Sequence, residues 1–167
     1  HTYKETIREQ LYDPTFDVAR LMEVTELLDD DQCDALTPSL IKPHPNTYTF
    51  TKCLGEHCVK TELGDIPFSV VRPAIVTAAW KEPFPGWTNN LNGPNGLALM
   101  TGAGLCRVVR GKTEMAPNLV PIDNVANYLI VAAWFTGTTK ESGRVYNCVG
   151  AHNQTTWKKF GEHTIKF

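Results

Sequence analysis

The chain has 167 residues, a formal net charge of -2 and 42% hydrophobic residues, which is typical of a globular domain and argues against a disordered segment. Its 16 basic residues are balanced by 18 acidic ones, which argues against nucleic acid as a partner. Five irregularly spaced cysteines without a C-x-x-C pair argue against a zinc or redox site, and no apolar run is long enough to cross a membrane.

The first segment, residues 1–45, is interrupted by prolines and is predicted to be an insertion-like loop with one short helix. That helix is placed between Phe16 and Leu28, where apolar residues recur at helical spacing. The acidic run Asp29–Asp31 is interpreted as a solvated face, because no further oxygen ligands accompany it in the sequence.

A longer helix is predicted from Asn46 to Leu63, because Asn46 can cap its start and Gly64 can end it. Residues 67–71 follow as a short, continuous apolar run, which is typical of a strand that is buried on both faces of a parallel sheet. A helix followed by such a strand indicates an α/β fold.

The stretch from Trp80 to Gly96 is rich in Pro, Gly and Asn, and it is predicted to be a long ordered loop of the kind that covers binding sites. Helical spacing predicts further helices from Gly96 to Arg110 and from Asp123 to about Phe135, with Asp123 as a cap rather than a catalyst. Residues 145–149 are predicted to form a last strand.

Tyr48 and Lys52 are four residues apart, which places them one turn apart on one face of the predicted helix. A phenol is a poor acid at neutral pH, and a neighbouring ammonium stabilises its phenolate form. Such a pair has the chemistry of a proton donor to a carbonyl that becomes an alkoxide. The same spacing also occurs by chance on ordinary helices, so the pair alone leaves a non-catalytic interpretation open.

Four segments carry a resemblance to a known family: PNTYTFTK, VVRPAIVTAAWKEPFPGWTNNLNGPNG, LVPIDNVAN and AAWFTG. They are similar to extended short-chain dehydrogenase/reductases, and among these to the fatty acyl-CoA reductases. The resemblance runs to about Trp157 and is most specific in the loop of residues 80–96. It implies the C-terminal part of a Rossmann-like, doubly wound parallel sheet that is incomplete in this chain.

The resemblance implies one partial NAD(P)-binding reductase domain over residues 1–167, in which residues 46–80 supply the catalytic helix and strand and residues 81–167 the substrate side. By position, Tyr48 is expected to donate the proton, and Lys52 to stabilise the phenolate and hold the nicotinamide ribose. The residues expected to line the nicotinamide are Pro73, Ala74, Ile75 and Val76.

The implied cofactor is NADPH, and the implied substrate is a long-chain fatty acyl-CoA that is reduced through an aldehyde to a fatty alcohol with release of coenzyme A. No metal is implied. A Gly-rich pyrophosphate loop and a catalytic Ser or Thr are expected upstream of His1, so the chain is interpreted as an internal piece that is inactive alone. Association with the peroxisomal or endoplasmic-reticulum membrane is implied only through segments outside this sequence.

Other readings of these residues stay open. A carboxylic-acid or thioester reductase domain, or a sugar-nucleotide epimerase, would also carry Tyr48 and Lys52, although the 80–96 loop argues against the epimerase. The isolated chain could also be a non-catalytic α/β fragment. Three aromatic residues of the loop either line an acyl tunnel or anchor the loop: Trp80, Phe84 and Trp87. A small basic group is interpreted as a solvated helix end rather than a phosphate site: Arg107, Arg110 and Lys112.

Overall fold

The computed structural model describes residues 6–150 and 155–165, which form six helices and four short strands. The helices are α1 (Val18–Leu27), α2 (Asp30–Leu40), α3 (Thr47–Glu62), α4 (Pro94–Gly102), α5 (Ile122–Thr139) and α6 (Trp157–Ile165). The strands are β1 (Ser69–Pro73), β2 (Ile75–Thr77), β3 (Leu119–Pro121) and β4 (Arg144–Cys148). The predicted mixed α/β class is confirmed.

The chain divides into two compact units. The first comprises the described residues up to Val70 together with Phe135–Tyr146. The second comprises Val71–Trp134 and the described residues from Asn147 onward. The boundary between the units falls inside β1, α5 and β4, so these three elements contribute residues to both.

Two helices, rather than the single one predicted, lie between residue 6 and residue 45. The backbone N–H of Gln32 donates to the Asp29 carboxylate at 2.8 Å, and the Gln32 side chain accepts the N–H of Asp29 at 3.2 Å. This reciprocal capping box starts α2. The acidic run Asp29–Asp31 is exposed as predicted, but it begins a helix that the prediction missed.

Helix α3 lies within one residue of its predicted bounds. The Asn46 side chain accepts the N–H of Thr49 at 2.9 Å and caps the start of the helix. Gly64 follows the helix with a φ of 56°, a left-handed conformation that favours glycine after a helix end. Phe50 and Cys53 are the buried residues of α3.

Strands β2 and β3 are parallel, with Ile75 opposite Leu119 and Val76 opposite Val120, while β1 pairs with β4. The core of the second unit combines three buried residues with three half-buried ones that pack on them: Val120, Val125 and Cys148, with Val71, Ala74 and Val76. The prediction that β1 is buried on both faces is wrong, since residues 69–71 are half-buried and β1 has only β4 as a partner among the described strands.

Helix α4 is shorter than predicted, because it ends at Gly102 and residues 103–118 form neither helix nor strand. Gly104 has a φ of 71°, a conformation outside the right-handed helical region. Helix α4 packs against α6, and an added Cβ at Gly102 would lie 3.9 Å from the carbonyl oxygen of Thr164. Helix α5 begins at Ile122, so Asp123 lies within its first turn and not at the cap position.

Candidate active site

Tyr48 and Lys52 lie one turn apart on α3, and the Nζ of Lys52 is 5.7 Å from the centre of the Tyr48 ring. The Tyr48 side chain is 59% exposed, and Lys52 is exposed as well. Among the described residues, no carboxylate forms an ion pair with Lys52. Its charge is therefore accessible to a nearby phenolate or to the hydroxyl groups of a ligand.

The opposite face of α3 fixes the orientation of this pair. Phe50 is 6% exposed, and its ring meets the His44 ring edge-on at 5.6 Å and the Phe16 ring edge-on at 6.5 Å. Cys53 is buried as well. Burial lowers the pKa of His44 below its ordinary value, so this imidazole is neutral at neutral pH and serves as packing for Phe50.

The four residues predicted to line the nicotinamide lie in the second unit, with Pro73 at the end of β1, Ala74 between the strands, and Ile75 and Val76 in β2. Ala74 and Val76 pack on the core of that unit, whereas Pro73 and Ile75 are exposed, Ile75 to 46%. The N–H of Ala74 donates to the backbone carbonyl of Cys148 at 2.9 Å, and the N–H of Ile75 donates to the backbone carbonyl of Asn118 at 3.0 Å. The backbone of this segment is thus held, and two of its four side chains are accessible.

Asp123 binds the backbone of the loop of residues 78–93, which forms neither helix nor strand. Its carboxylate accepts the N–H groups of Trp80 at 3.0 Å, Lys81 at 2.8 Å and Glu82 at 3.2 Å. These hydrogen bonds, with that of Trp80 the largest contribution, lower the pKa of Asp123 from its ordinary 3.8 to about 2. The predicted role as a helix cap is wrong, because the carboxylate holds a segment about forty residues away in sequence.

The aromatic residues of the 78–93 loop differ in burial. Trp80 and Phe84 are exposed, and the Nζ of Lys81 lies 4.1 Å from the centre of the Trp80 ring. Trp87 is half-buried, and its carbonyl accepts the N–H of Ala79 at 2.9 Å. Trp80 and Phe84 therefore do not anchor the loop by burial.

Residues 1–129 match the protein family described as Male sterility protein, an NAD-binding domain family. This match covers more than three quarters of the chain. The chain belongs to this male sterility protein family. Its sequence resemblance to the fatty acyl-CoA reductases is likewise confirmed by individual relatives.

Fatty acyl-CoA reductase 1 of Xenopus laevis is 41% identical over 164 residues, which are 97% of the chain and 32% of that protein. Fatty acyl-CoA reductase 1 of Homo sapiens is 40% identical over 97% of the chain and 32% of that protein. Fatty acyl-CoA reductase 2 of Bos taurus is 40% identical over 93% of the chain and 30% of that protein. The chain spans about a third of the length of these curated relatives.

Membership of an NAD-binding male sterility family implies a dinucleotide cofactor. Tyr48 and Lys52 offer an exposed hydroxyl and an exposed ammonium, the donors that ribose hydroxyls accept. Pro73 and Ile75 offer exposed apolar surface of the kind that a nicotinamide ring contacts. The first pair belongs to the first unit and the second pair to the second unit.

Two asparagines with structural roles were missed at the sequence level. Asn95 accepts the N–H of Ala78 at 3.1 Å and donates to the Thr88 hydroxyl at 3.0 Å, which ties both arms of the 78–93 loop to α4. Asn118 accepts the N–H of Gly150 at 3.0 Å. In the sequence, Asn95 directly precedes the helix predicted from Gly96, whereas no predicted element adjoins Asn118.

Within residues 6–150 and 155–165, no group of three or more His, Cys, Asp or Glu side chains could hold a metal ion. Burial raises the pKa of Cys148 above its ordinary value, and burial together with Glu62 raises that of Cys58. Both thiols therefore stay protonated at neutral pH. In the same described part of the chain, no helix has the length and apolarity that a membrane span requires.

Proposed function

We propose that this chain is the catalytic-helix portion of an NADPH-dependent fatty acyl-CoA reductase that forms a fatty alcohol and releases coenzyme A. The observation that supports it best is the exposed Tyr48/Lys52 pair on α3 in a chain of the male sterility family. In this proposal β1 to β4 are the C-terminal part of a doubly wound Rossmann sheet. The proposal also keeps the division of the partial domain into an insertion-like segment (1–45), the catalytic helix and strand (46–80) and the substrate side (81–167).

Tyr48 supplies the proton in this mechanism. When the thioester carbonyl is reduced, its oxygen becomes an alkoxide, and the Tyr48 hydroxyl donates its proton to that oxygen. The hydroxyl proton of the resulting hemithioacetal returns to the Tyr48 phenolate as the carbon–sulfur bond breaks, which releases coenzyme A as its thiolate and leaves an aldehyde. A second hydride, from a second NADPH, would reduce the aldehyde, and the same donation at the aldehyde oxygen completes the alcohol. An exposed hydroxyl on a capped helix suits this role, since the substrate oxygen has to reach it.

Lys52 assists the proton transfer from Tyr48. After each transfer Tyr48 is left as a phenolate, and the ammonium one turn away stabilises that charge. Lys52 also donates to the ribose hydroxyls, while Pro73, Ala74, Ile75 and Val76 form the wall beside the nicotinamide. NADPH supplies the hydride when it is bound. Attachment to the peroxisomal or endoplasmic-reticulum membrane belongs to the same proposal.

The test is the Tyr48→Phe substitution in the full-length protein, assayed for alcohol formation and, separately, for NADPH binding. Loss of one positioned acid is expected to lower the rate by about a hundredfold or more while the cofactor still binds. Tyr128→Phe is the matched control, because Tyr128 is also an exposed helical tyrosine but lies on α5. Near-normal turnover in Tyr48→Phe would contradict the assignment.

The same assay also distinguishes a reductase of free acyl-CoA from a reductase domain that acts on carrier-bound thioesters. A reductase that acts on free acyl-CoA releases coenzyme A without any other protein. A carboxylic-acid or thioester reductase domain that acts on carrier-bound thioesters fails unless the carrier protein is supplied. Turnover that depends on a carrier would therefore assign the Tyr48/Lys52 pair to that second class.

A further inference from the structure

The proposed nicotinamide wall, residues 73–76, continues through Thr77 into the 78–93 loop, and all of these residues belong to the second unit. Two N–H groups of the wall donate to backbone carbonyls of other segments. After the wall the pairing of β2 with β3 stops, since Thr77 lies opposite Pro121, which has no N–H to donate. The backbone that follows Thr77 therefore needs other partners.

Two side chains hold the backbone where this pairing ends. Asp123, in the first turn of α5, accepts the consecutive N–H groups of residues 80–82 at 2.8 to 3.2 Å. Asn95, near the start of α4, accepts the N–H of Ala78 at 3.1 Å. With three donors at Asp123 and one at Asn95, four of the first five residues after β2 donate to a side chain of a helix.

The loop is also closed on itself at its base. The N–H of Ala79 donates to the Trp87 carbonyl at 2.9 Å, and the N–H of Gly86 donates to the Ala79 carbonyl at 2.8 Å. Ala79 is 4% exposed, so this closure is buried. Because the base is closed and continuous with β2, a displacement of residues 80–82 also displaces the carboxyl end of β2. Asp123 therefore controls more than the exposed side chains of the loop.

We propose that Asp123 is a positioning residue for hydride transfer, which acts through the backbone of residues 78–82 on the wall side chains Ile75 and Val76. The inference rests on the proposed function, because it takes these side chains as the nicotinamide wall. Asp123 itself touches neither cofactor nor substrate in this role. In open α/β sheets ligands bind at the carboxyl ends of the strands, and this is the end of β2 that Asp123 holds. A displacement of about 1 Å in such a site can lower a reaction rate about a hundredfold.

The test is Asp123→Asn in the full-length protein, since an amide has a single acceptor oxygen and no charge. The affinity for NADPH, measured by titration calorimetry, should stay within about threefold of wild type, because binding draws on many contacts besides the wall. The rate of NADPH oxidation in a single turnover with hexadecanoyl-CoA should fall about tenfold or more. The primary isotope effect with NADPH that is deuterated at the transferred hydrogen should rise, because hydride transfer then limits the rate more fully.

A spectroscopic measurement needs no turnover. The fluorescence of bound NADPH reports the surroundings of the nicotinamide, and in Asp123→Asn it should move toward the value of the free dinucleotide. The rate, the isotope effect and the fluorescence are all taken per NADPH bound, so a smaller fraction of folded protein would leave them unchanged. Together they distinguish a positioning role from a role in stability alone.

Glu114→Gln is the matched control. It makes the same change from carboxylate to amide at an exposed position of residues 103–118, another stretch of the second unit without helix or strand. The basic residues of this stretch do not end a helix as predicted, because residues 103–118 are not helical: Arg107, Arg110 and Lys112. Glu114→Gln should leave the NADPH affinity, the single-turnover rate and the fluorescence at their wild-type values.

A second pair of variants distinguishes the wall from the loop as a cover. Asn95 also donates to the Thr88 hydroxyl at 3.0 Å, which ties the far arm of the loop. Asn95→Ala removes this bond and the bond to Ala78, and it should lower the single-turnover rate several-fold. Thr88→Val leaves the bond at Ala78 in place and should keep that rate within about twofold of wild type. Equal losses in the two variants would show that the loop acts as a cover, and would overturn the action through the wall.

The inference and the proposed function fail in different ways. Wild-type protein that binds NADPH but does not reduce hexadecanoyl-CoA would refute the proposed function, and the fluorescence would still decide whether Asp123 acts on the nicotinamide. Wild-type turnover in Asp123→Asn with unchanged fluorescence would refute the positioning role and leave the proposed function intact. A fall in NADPH affinity as large as the fall in rate would assign Asp123 to cofactor binding instead, and would overturn the positioning role as well.

Discussion

Helix α3 and the 78–93 loop each present an exposed aromatic ring beside a lysine ammonium, Tyr48 with Lys52 at 5.7 Å and Trp80 with Lys81 at 4.1 Å. The two regions hold these side chains by different means. In α3 the backbone follows a regular helix whose other face is buried through Phe50. In the loop the backbone forms neither helix nor strand, only a few of its hydrogen bonds are internal, such as that from Ala79 to Trp87, and one carboxylate binds three consecutive N–H groups.

This difference shows where local pattern is sufficient to position a side chain. In a helix, many backbone hydrogen bonds and a buried face together position each side chain, so the direction of Tyr48 follows from its place in the helix. The loop concentrates the task on a few polar contacts, above all those of Asp123, because its exposed aromatic rings contribute little burial. Substitutions in the two regions should therefore have effects of different kind and size.

The largest effect on stability is expected from Phe50→Ala. Removal of a buried aromatic ring from a core typically lowers the free energy of unfolding by about 3–5 kcal/mol. Phe84→Ala makes the same chemical change in the loop, where the ring is 58% exposed, and should alter the free energy by no more than about 0.5 kcal/mol. Urea denaturation of the two variants measures the contrast, and similar values for both would show that the loop ring packs as tightly as the helix ring.

Lys52→Ala tests whether the helix pair has a chemical role that the loop pair lacks. If Lys52 holds the ribose and stabilises the phenolate, its removal should weaken NADPH binding on the order of tenfold and move the pH–rate profile to higher pH. Lys81→Ala removes the corresponding ammonium from Trp80 and should leave both measurements unchanged. Lys52→Ala with wild-type cofactor affinity and an unshifted profile would contradict both proposed roles of Lys52.

The elements that could be predicted from sequence are those whose signals lie beside them. Asn46 and Gly64 flank α3, and the predicted bounds were accurate to within one residue. Helix α2 was missed although Asp29 and Gln32 have capping-box spacing, because Pro38 in its interior argued against a helix. Strands β2 and β3 have three residues each, which is too short for a period to be recognised.

The contacts of Asp123 could not be predicted, because 43 positions separate it from Trp80 along the chain. Its place after Pro121 at the end of β3 indicated only that a helix begins nearby. The same limit applies to the packing of α4 on α6, because these two helices are distant in sequence. Local pattern specifies an element, whereas packing between elements decides which polar group meets which backbone.

Asp123→Asn should loosen the loop without unfolding α5. An amide has a single acceptor oxygen and no charge, so it cannot replace a carboxylate that binds three N–H groups. Amide hydrogen exchange at Lys81 and Glu82 is expected to become several-fold faster, while exchange in α3 stays unchanged. Asn124→Ala, at the exposed next position of α5, is the control that should leave the loop protected. Unchanged exchange in Asp123→Asn would mean that other contacts hold the loop.

The pH dependence of the loop follows from the lowered pKa of Asp123. Because this pKa falls from 3.8 to about 2 on folding, the stabilising contribution is complete above about pH 4 and declines as the pH falls toward 2. The loop should therefore stay ordered throughout the physiological range. A carboxyl-carbon NMR titration in which Asp123 changes protonation state near its ordinary value would contradict the three hydrogen bonds.

The smallest effect is expected at the cap that sets the start of α3. The Asn46 side chain satisfies the Thr49 N–H, and it fixes Tyr48 as the second residue of the helix. Asn46→Ser keeps an acceptor and should be nearly neutral, Asn46→Gly should cost a few tenths of a kcal/mol, and Asn46→Ala about 1 kcal/mol. If the helix as a whole positions Tyr48, NADPH affinity should stay constant along this series while the free energy of unfolding falls. A parallel loss of cofactor affinity would show instead that one polar contact positions the tyrosine, as Asp123 positions the loop.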